Sequence, residues 1–117
     1  MEERNYLIIL YDYYGELLTD KQRMHFEDYY FNNLSLGEIS ENDGCSRNAI
    51  HKNIKNAEEK LYFYEEKLEL YKKKKLLEDI IKDIADEDIK NKIREILWRI
   101  ENIKCTMIIV REQMVDF

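Results

Sequence analysis

The chain contains no proline and only three glycines, Gly15, Gly37 and Gly44, in 117 residues. Sandwiches and barrels turn their chains through many tight corners built from those two residue types, so an all-β fold is excluded at the outset. The same scarcity leaves helices free to run, and their ends must be set by capping side chains rather than by breakers. The expectation is an all-α protein. A domain takes roughly 100–200 residues, so the length suits one compact unit or a small domain with a long helical appendage. Apolar residues, at 44%, are enough for a core, and the 38% of charged residues for a solvated surface.

Tyr6, Leu10, Tyr13, Tyr14 and Leu17 recur at helical spacing, which predicts a first helix over about 4–14 with Gly15 as its stop. Thr19, with Gln22 three residues on, is a capping box in which each side chain satisfies a free backbone N–H of the other's turn. The helix it opens turns Met24 or Phe26, Tyr29 and Tyr30 inward and ends near Asn32-Asn33. Ser35 and Glu38 form a second capping box and open a short helix to Asn42. Asp43-Gly44 is a turn, with Gly44 free to adopt the left-handed conformation, and Ser46 caps the next helix. A short helix, a glycine-containing turn and a second helix make a helix-turn-helix unit.

Within that unit Leu36, Ile39 and Cys45 are expected to face inward, and Ala49 is small, as a close helix crossing requires. Ile50, Ile54, Ala57 and Leu61 continue a buried stripe. The opposite side of the second helix then carries Arg47, Asn48, His51, Lys52 and Lys55. Arginine reads guanine, asparagine reads adenine and lysine holds phosphate, so these are candidate nucleic-acid contacts. An ordinary solvated helix face has a similar composition, and the charge balance sharpens that alternative. The chain carries −6 overall, and residues 1–60 hold seven basic against twelve acidic side chains. Within that half, Ser46 to Lys60, with four basic and two acidic residues, is locally cationic. Binding to DNA is therefore expected to be strongly salt-sensitive.

A resemblance rests on the same residues. Leu18-Thr-Asp-Lys-Gln-Arg, Leu34-Ser-Leu-Gly-Glu-Ile, Ser46-Arg-Asn-Ala-Ile and Ala57-Glu-Glu-Lys-Leu61 resemble the promoter-reading region 4 of bacterial sigma factors. With Leu10-Tyr-Asp-Tyr-Tyr-Gly-Glu-Leu-Leu, Asp28-Tyr-Tyr and Asn53-Ile-Lys, the chain is more narrowly similar to the YlxM family over about residues 6–70. The resemblance implies a three-helical, sigma region 4-like DNA-binding core. It also implies a gene neighbourhood shared with components of the signal recognition particle, and a part in that targeting pathway. By the same carry-over Arg47, Asn48, His51 and Lys52 occupy base-reading positions, whereas Asn56 stands where both groups carry a basic residue.

Beyond the core, Leu61, Tyr64, Leu68 and Tyr71 continue the helix with a coiled-coil seam until Lys72-Lys73-Lys74-Lys75 breaks it. Leu76, Leu77, Ile80, Ile81 and Ile84 make a short amphipathic helix, and Asp86 caps the last one. There Ile89, Ile93, Ile96, Ile100, Ile103, Met107, Val110 and Met114 follow alternating spacings of four and three without an error. The expected organisation is a helix-turn-helix domain over 1–70 and a helical extension over 71–117. The long stripe is expected to pack on Leu61–Tyr71 and on a second copy of the chain, giving a homodimer; a wholly intramolecular bundle is the alternative.

Other chemistry is sparse. His25 and His51 lie on different helices without further ligands at zinc spacing, so neither a metal site nor a cofactor is expected. There is no phosphate-binding glycine loop and no nucleophile with a base partner, which argues against an enzyme. His25 is read as a partly exposed helix residue, and most of the nine tyrosines as core or interface aromatics whose hydroxyls reach water. Cys45 and Cys105 read as reduced, small buried hydrophobes of a cytoplasmic protein. No segment is apolar enough to span a membrane, and the acidic start Met1-Glu2-Glu3 is unlike a secretory leader. Two functions remain: a dimeric DNA-binding regulator, or a non-catalytic module that binds protein or RNA of the signal recognition particle, with Lys72–Lys75 touching RNA phosphate.

Overall fold

Capping side chains set the helix boundaries, as a shortage of breakers requires. The computed structural model describes residues 3–102. Its elements are α1 (Glu3–Tyr14), a 3-10 turn (Gly15–Leu17), α2 (Asp20–Tyr30), α3 (Leu36–Asp43), α4 (Arg47–Leu68), α5 (Leu70–Lys82) and α6 (Glu87–Glu101). Thr19–Gln22 and Ser35–Glu38 are both complete, reciprocal capping boxes. Ser46 Oγ accepts the Ala49 amide, and Asp86 accepts the amides of Asp88 and Ile89. Gly44 ends α3 at φ 76°, a value that favours glycine.

Helices α1 to α4 enclose one core. Phe26 is fully buried, stacked on Tyr11 at 4.6 Å and on Tyr30 at 4.4 Å between ring centroids. Leu7, Leu10, Ile39, Ile50, Ile54, Ala57 and Leu61 fill the rest. Ile39 of α3 and Ile50 of α4 are both fully buried, while Ala49 faces solvent. Phe26, not Met24, takes the inward position on α2. Leu17 is exposed as well. The 3-10 turn winds the chain more tightly than an α-helix, and Leu18 fills the inward place instead.

The tyrosine hydroxyls differ from expectation. Tyr14 Oη donates to Glu65 Oε1 at 2.6 Å, and the hydroxyls of Tyr30 and Tyr11 donate to Glu58 and Glu27. Glu58 and Glu65 are themselves buried on the inner stripe of α4. A buried carboxylate needs donors around it, and the phenols supply them. In return, burial and the carboxylate beside it push each of the three hydroxyls well above its ordinary pKa.

The long helix does not run through Tyr71, and the lysine run does not break it. It stops at Glu69, which adopts φ 54°. A left-handed backbone costs roughly 1–2 kcal/mol outside glycine, and Glu65 offsets it by accepting the Tyr71 and Lys72 amides that open α5. Lys72–Lys75 therefore lie within the first turns of α5, and Lys74 bridges Glu78 and Glu101.

Helix α6 folds back on α5 rather than on the α4 seam. Leu97 is buried, Ile93 is half-buried, and Ile100 reaches the main core. Ile89 and Ile96, members of the heptad stripe, are about half exposed, as are Leu76 and Ile80 on α5. The further repeats Ile103, Met107, Val110 and Met114, and Cys105, lie outside the described residues.

Candidate nucleic-acid interface

The second helix of the helix-turn-helix unit presents its polar side to solvent because its other side is committed to the core. Ile50, Ile54 and Ala57 are each less than 5% exposed. The side chains between them in the helical cycle, Arg47, Asn48, His51, Lys52 and Lys55, are all exposed. At 3.6 residues per turn Arg47, His51 and Lys55 form one file along α4, and Asn48 and Lys52 the adjacent one. Asn56 is the next member of that second file and is also exposed. That file therefore ends on an uncharged residue.

The cations differ in freedom. Lys52 and Arg47 have no carboxylate partner among the described residues. Lys55 lies 3.3 Å from Glu58 Oε2, which dilutes its charge. Lys60 is half-buried and donates to Gln22, so it contributes less to the outward field than its place in the sequence suggests. The Arg47 guanidinium folds back on the first turn of α3, where a Cβ built on Gly37 would stand 3.0 Å from Nη2. The missing side chain of Gly37 makes room for it. Beside this face, His51 and Lys55 border a cleft floored by Leu7, Leu36 and Ile54.

Sequence reasoning missed the polar group behind the face. His25 is not partly exposed: it is 3% exposed, with Nε2 2.9 Å from Asp43 Oδ2 and Nδ1 2.8 Å from Asn53 Nδ2. A signal was present, since Gln22, His25, Phe26, Tyr29 and Tyr30 fall on a single helical stripe. Asp43 Oδ2 also accepts from Cys45 Sγ at 3.0 Å and lies 2.9 Å from Lys21 Nζ. The Cys45 thiol, then Lys21, then His25 hold the Asp43 carboxyl well below the usual carboxylate range, and the same contact raises the pKa of the thiol. No group of His, Cys, Asp and Glu among the described residues is arranged to hold a metal ion. Among them, too, no helix is long and apolar enough to cross a membrane.

Comparison with known proteins agrees with this architecture. Residues 1–100 match the model of the UPF0122 family, described as "Putative helix-turn-helix protein, YlxM / p13 like". A UPF0122 protein of Clostridium kluyveri is 45% identical over 105 residues, spanning 87% of this chain and 95% of the relative. One from Malacoplasma penetrans is 42% identical over 95 residues, with 78% and 89% covered. A third, from Caldanaerobacter subterraneus subsp. tengcongensis, reaches 57% over a shorter match of 68 residues, which is 58% of either chain. The two longer alignments extend past the core defined by α1 to α4 into the α5–α6 hairpin. The chain belongs to the UPF0122 family of YlxM/p13-like helix-turn-helix proteins.

Proposed function

We propose that the protein is a DNA-binding regulator that lays α4 in the major groove as a recognition helix. The observation that carries this reading is the solvent exposure of Arg47, Asn48, His51, Lys52 and Lys55 together on one side of a helix whose other side is locked in the core. Arg47, Asn48, His51 and Lys52 meet base edges near the start of the helix, where recognition helices make base contacts. Lys55 holds the backbone. The acidic remainder of the chain weakens non-specific binding, so discrimination depends on base contacts and affinity falls steeply with salt. Arg47→Ala combined with Lys52→Ala is expected to abolish binding to a duplex selected on the parent protein, with the helical circular-dichroism spectrum unchanged. A double variant that binds that duplex as the parent does would refute these roles.

A homodimer through the extension over residues 71–117 is part of the same reading. It is supported by the half-exposed Leu76, Ile80, Ile89 and Ile96 and by Trp98, which is 63% exposed. These side chains leave the α5–α6 hairpin with apolar surface that its own core does not cover. Two recognition helices about 34 Å apart would then meet successive major grooves.

One observation favours a second reading, in which the protein serves the signal recognition particle as an interaction module. Lys72, Lys73 and Lys75 are exposed together on the first turns of α5, a cationic edge separate from α4 and suited to RNA phosphate. Retention of the protein on purified particle protein and its RNA, compared with retention on random duplex DNA, separates the two readings.

A further inference from the structure

Burial of Ile50, Ile54 and Ala57 holds α4 down but does not aim it, because the hydrophobic effect is non-directional. Direction comes from polar groups with fixed geometry. The His25 ring stands on α2 between α3 and α4 and uses both nitrogens. Asn53 Nδ2 can only donate, so Nδ1 accepts from it across 2.8 Å, and the ring proton resides on Nε2 and is donated to Asp43 across 2.9 Å. Asp43 is the last residue of α3, and Lys21 Nζ, 2.9 and 3.1 Å from its two oxygens, ties it a second time to α2. Three helices thus meet through one planar ring.

We propose that the Asp43–His25–Asn53 bridge positions the recognition helix: it sets the rotation of α4 against α2 and α3, and thereby which of Asn48, His51 and Lys52 face the groove together. The consequence for DNA rests on the reading above; the geometry does not. All three bridge residues act through α4 rather than by touching nucleic acid, and their loss affects selectivity before affinity. Phosphate contacts supply most of non-specific binding and tolerate small rotations, whereas base-edge contacts do not.

The test uses the full chain with His25→Ala and His25→Gln, the latter keeping an N–H donor able to reach Asp43. Residual dipolar couplings report the α2–α4 orientation without reference to DNA, and fluorescence anisotropy reports affinity for a selected and a random duplex. The alanine variant is expected to reorient α4. It should also lose roughly tenfold in discrimination, the worth of one mismatched base pair, while binding random duplex as the parent does. The glutamine variant should restore the orientation and most of the discrimination. An unchanged orientation in the alanine variant overturns the proposal. So does an equal loss on both duplexes that glutamine fails to rescue. If the orientation shifts as described but even the parent binds no duplex, the bridge stands and the DNA reading falls. Should His25→Ala not fold, Asn53→Ala, at the half-buried end of the bridge, is measured by the same couplings and duplexes, with the same outcomes deciding.

Discussion

Replacing Glu65 with alanine is expected to loosen the junction of α4 and α5 while leaving the recognition unit intact. Oε1 accepts the Tyr14 hydroxyl at 2.6 Å and the Tyr71 amide at 3.2 Å, and Oε2 accepts the Lys72 amide at 3.2 Å. Those two amides open α5 and have no acceptor within their own helix, and the carboxylate also meets the positive end of the helix dipole. Without it, water replaces the acceptor at exposed Lys72 and half-buried Tyr71. Tyr14 is fully buried, so its hydroxyl is left as a buried donor without an acceptor. That orphan costs about 1–3 kcal/mol and the lost dipole interaction about 0.3–1, while relief of the buried charge offsets part of both. The net expectation is about 2 kcal/mol, carried by the α5–α6 hairpin rather than by the whole chain. Native-state hydrogen exchange reads this directly. Amides of Leu70–Lys82 should lose about thirtyfold in protection, those of Leu36–Asp43 and the first turns of α4 should keep theirs, and Glu65→Gln should fall between. Protection lost equally in α3 and α5, or in neither, would refute the reasoning.

Three other outcomes follow from the same geometry. Gly37→Ala gains up to about 1 kcal/mol of helix propensity in α3 but places a methyl 3.0 Å from Arg47 Nη2. The melting temperature should hold or rise while duplex affinity drops, and parent-like affinity would show that the seat of Arg47 is immaterial. The Asp43 pKa is lowered in the folded protein, so its stabilising contribution is complete above the unfolded-state value of about 3.9 and is lost as pH falls through the folded value. Urea titrations should therefore show a stability gap between the parent and Asp43→Asn that is constant near neutrality and closes below about pH 4; a gap unchanged in strong acid contradicts this. Light scattering at micromolar concentration should give twice the 14.4 kDa chain mass. Ile80→Glu with Ile96→Glu should halve that mass without loss of helix, and a parent that is already monomeric ends the dimer reading.

Much of the fold could be read from short spans of sequence. Each capping box needs only four residues, and the Gly44 turn needs two, so both boxes, the turn and the Ser46 cap appear where local chemistry demands them. The inward stripe Ile50, Ile54, Ala57 and Leu61 was equally legible, and with it the outward placement of Arg47, Asn48, His51, Lys52 and Lys55, because one helical period decides both. Less legible was anything that depends on rotation over a fraction of a turn. Leu17 and Leu18 exchange roles through a 3-10 winding, Ala49 turns to solvent, and in α6 Leu97 is buried while Ile96 beside it is not. A stripe several residues wide does not say which of its members meets a neighbour.

The sequence by itself determined the helical class, the number and order of the capped helices in the core, and the polarity of each helix face, since these follow from interactions within a few residues. Only the tertiary structure decided which polar groups meet. His25 finds Asp43 and Asn53 at separations of 18 and 28 residues, and Glu65 finds Tyr14 at 51. It also decided where the long helix ends, because Glu69 is tolerable in its left-handed backbone only once Glu65, itself bonded by Tyr14 of the first helix, is in place to cap α5. Buried charge and backbone strain are unfavourable alone and are relieved only by partners distant in the chain, so no local pattern announces them.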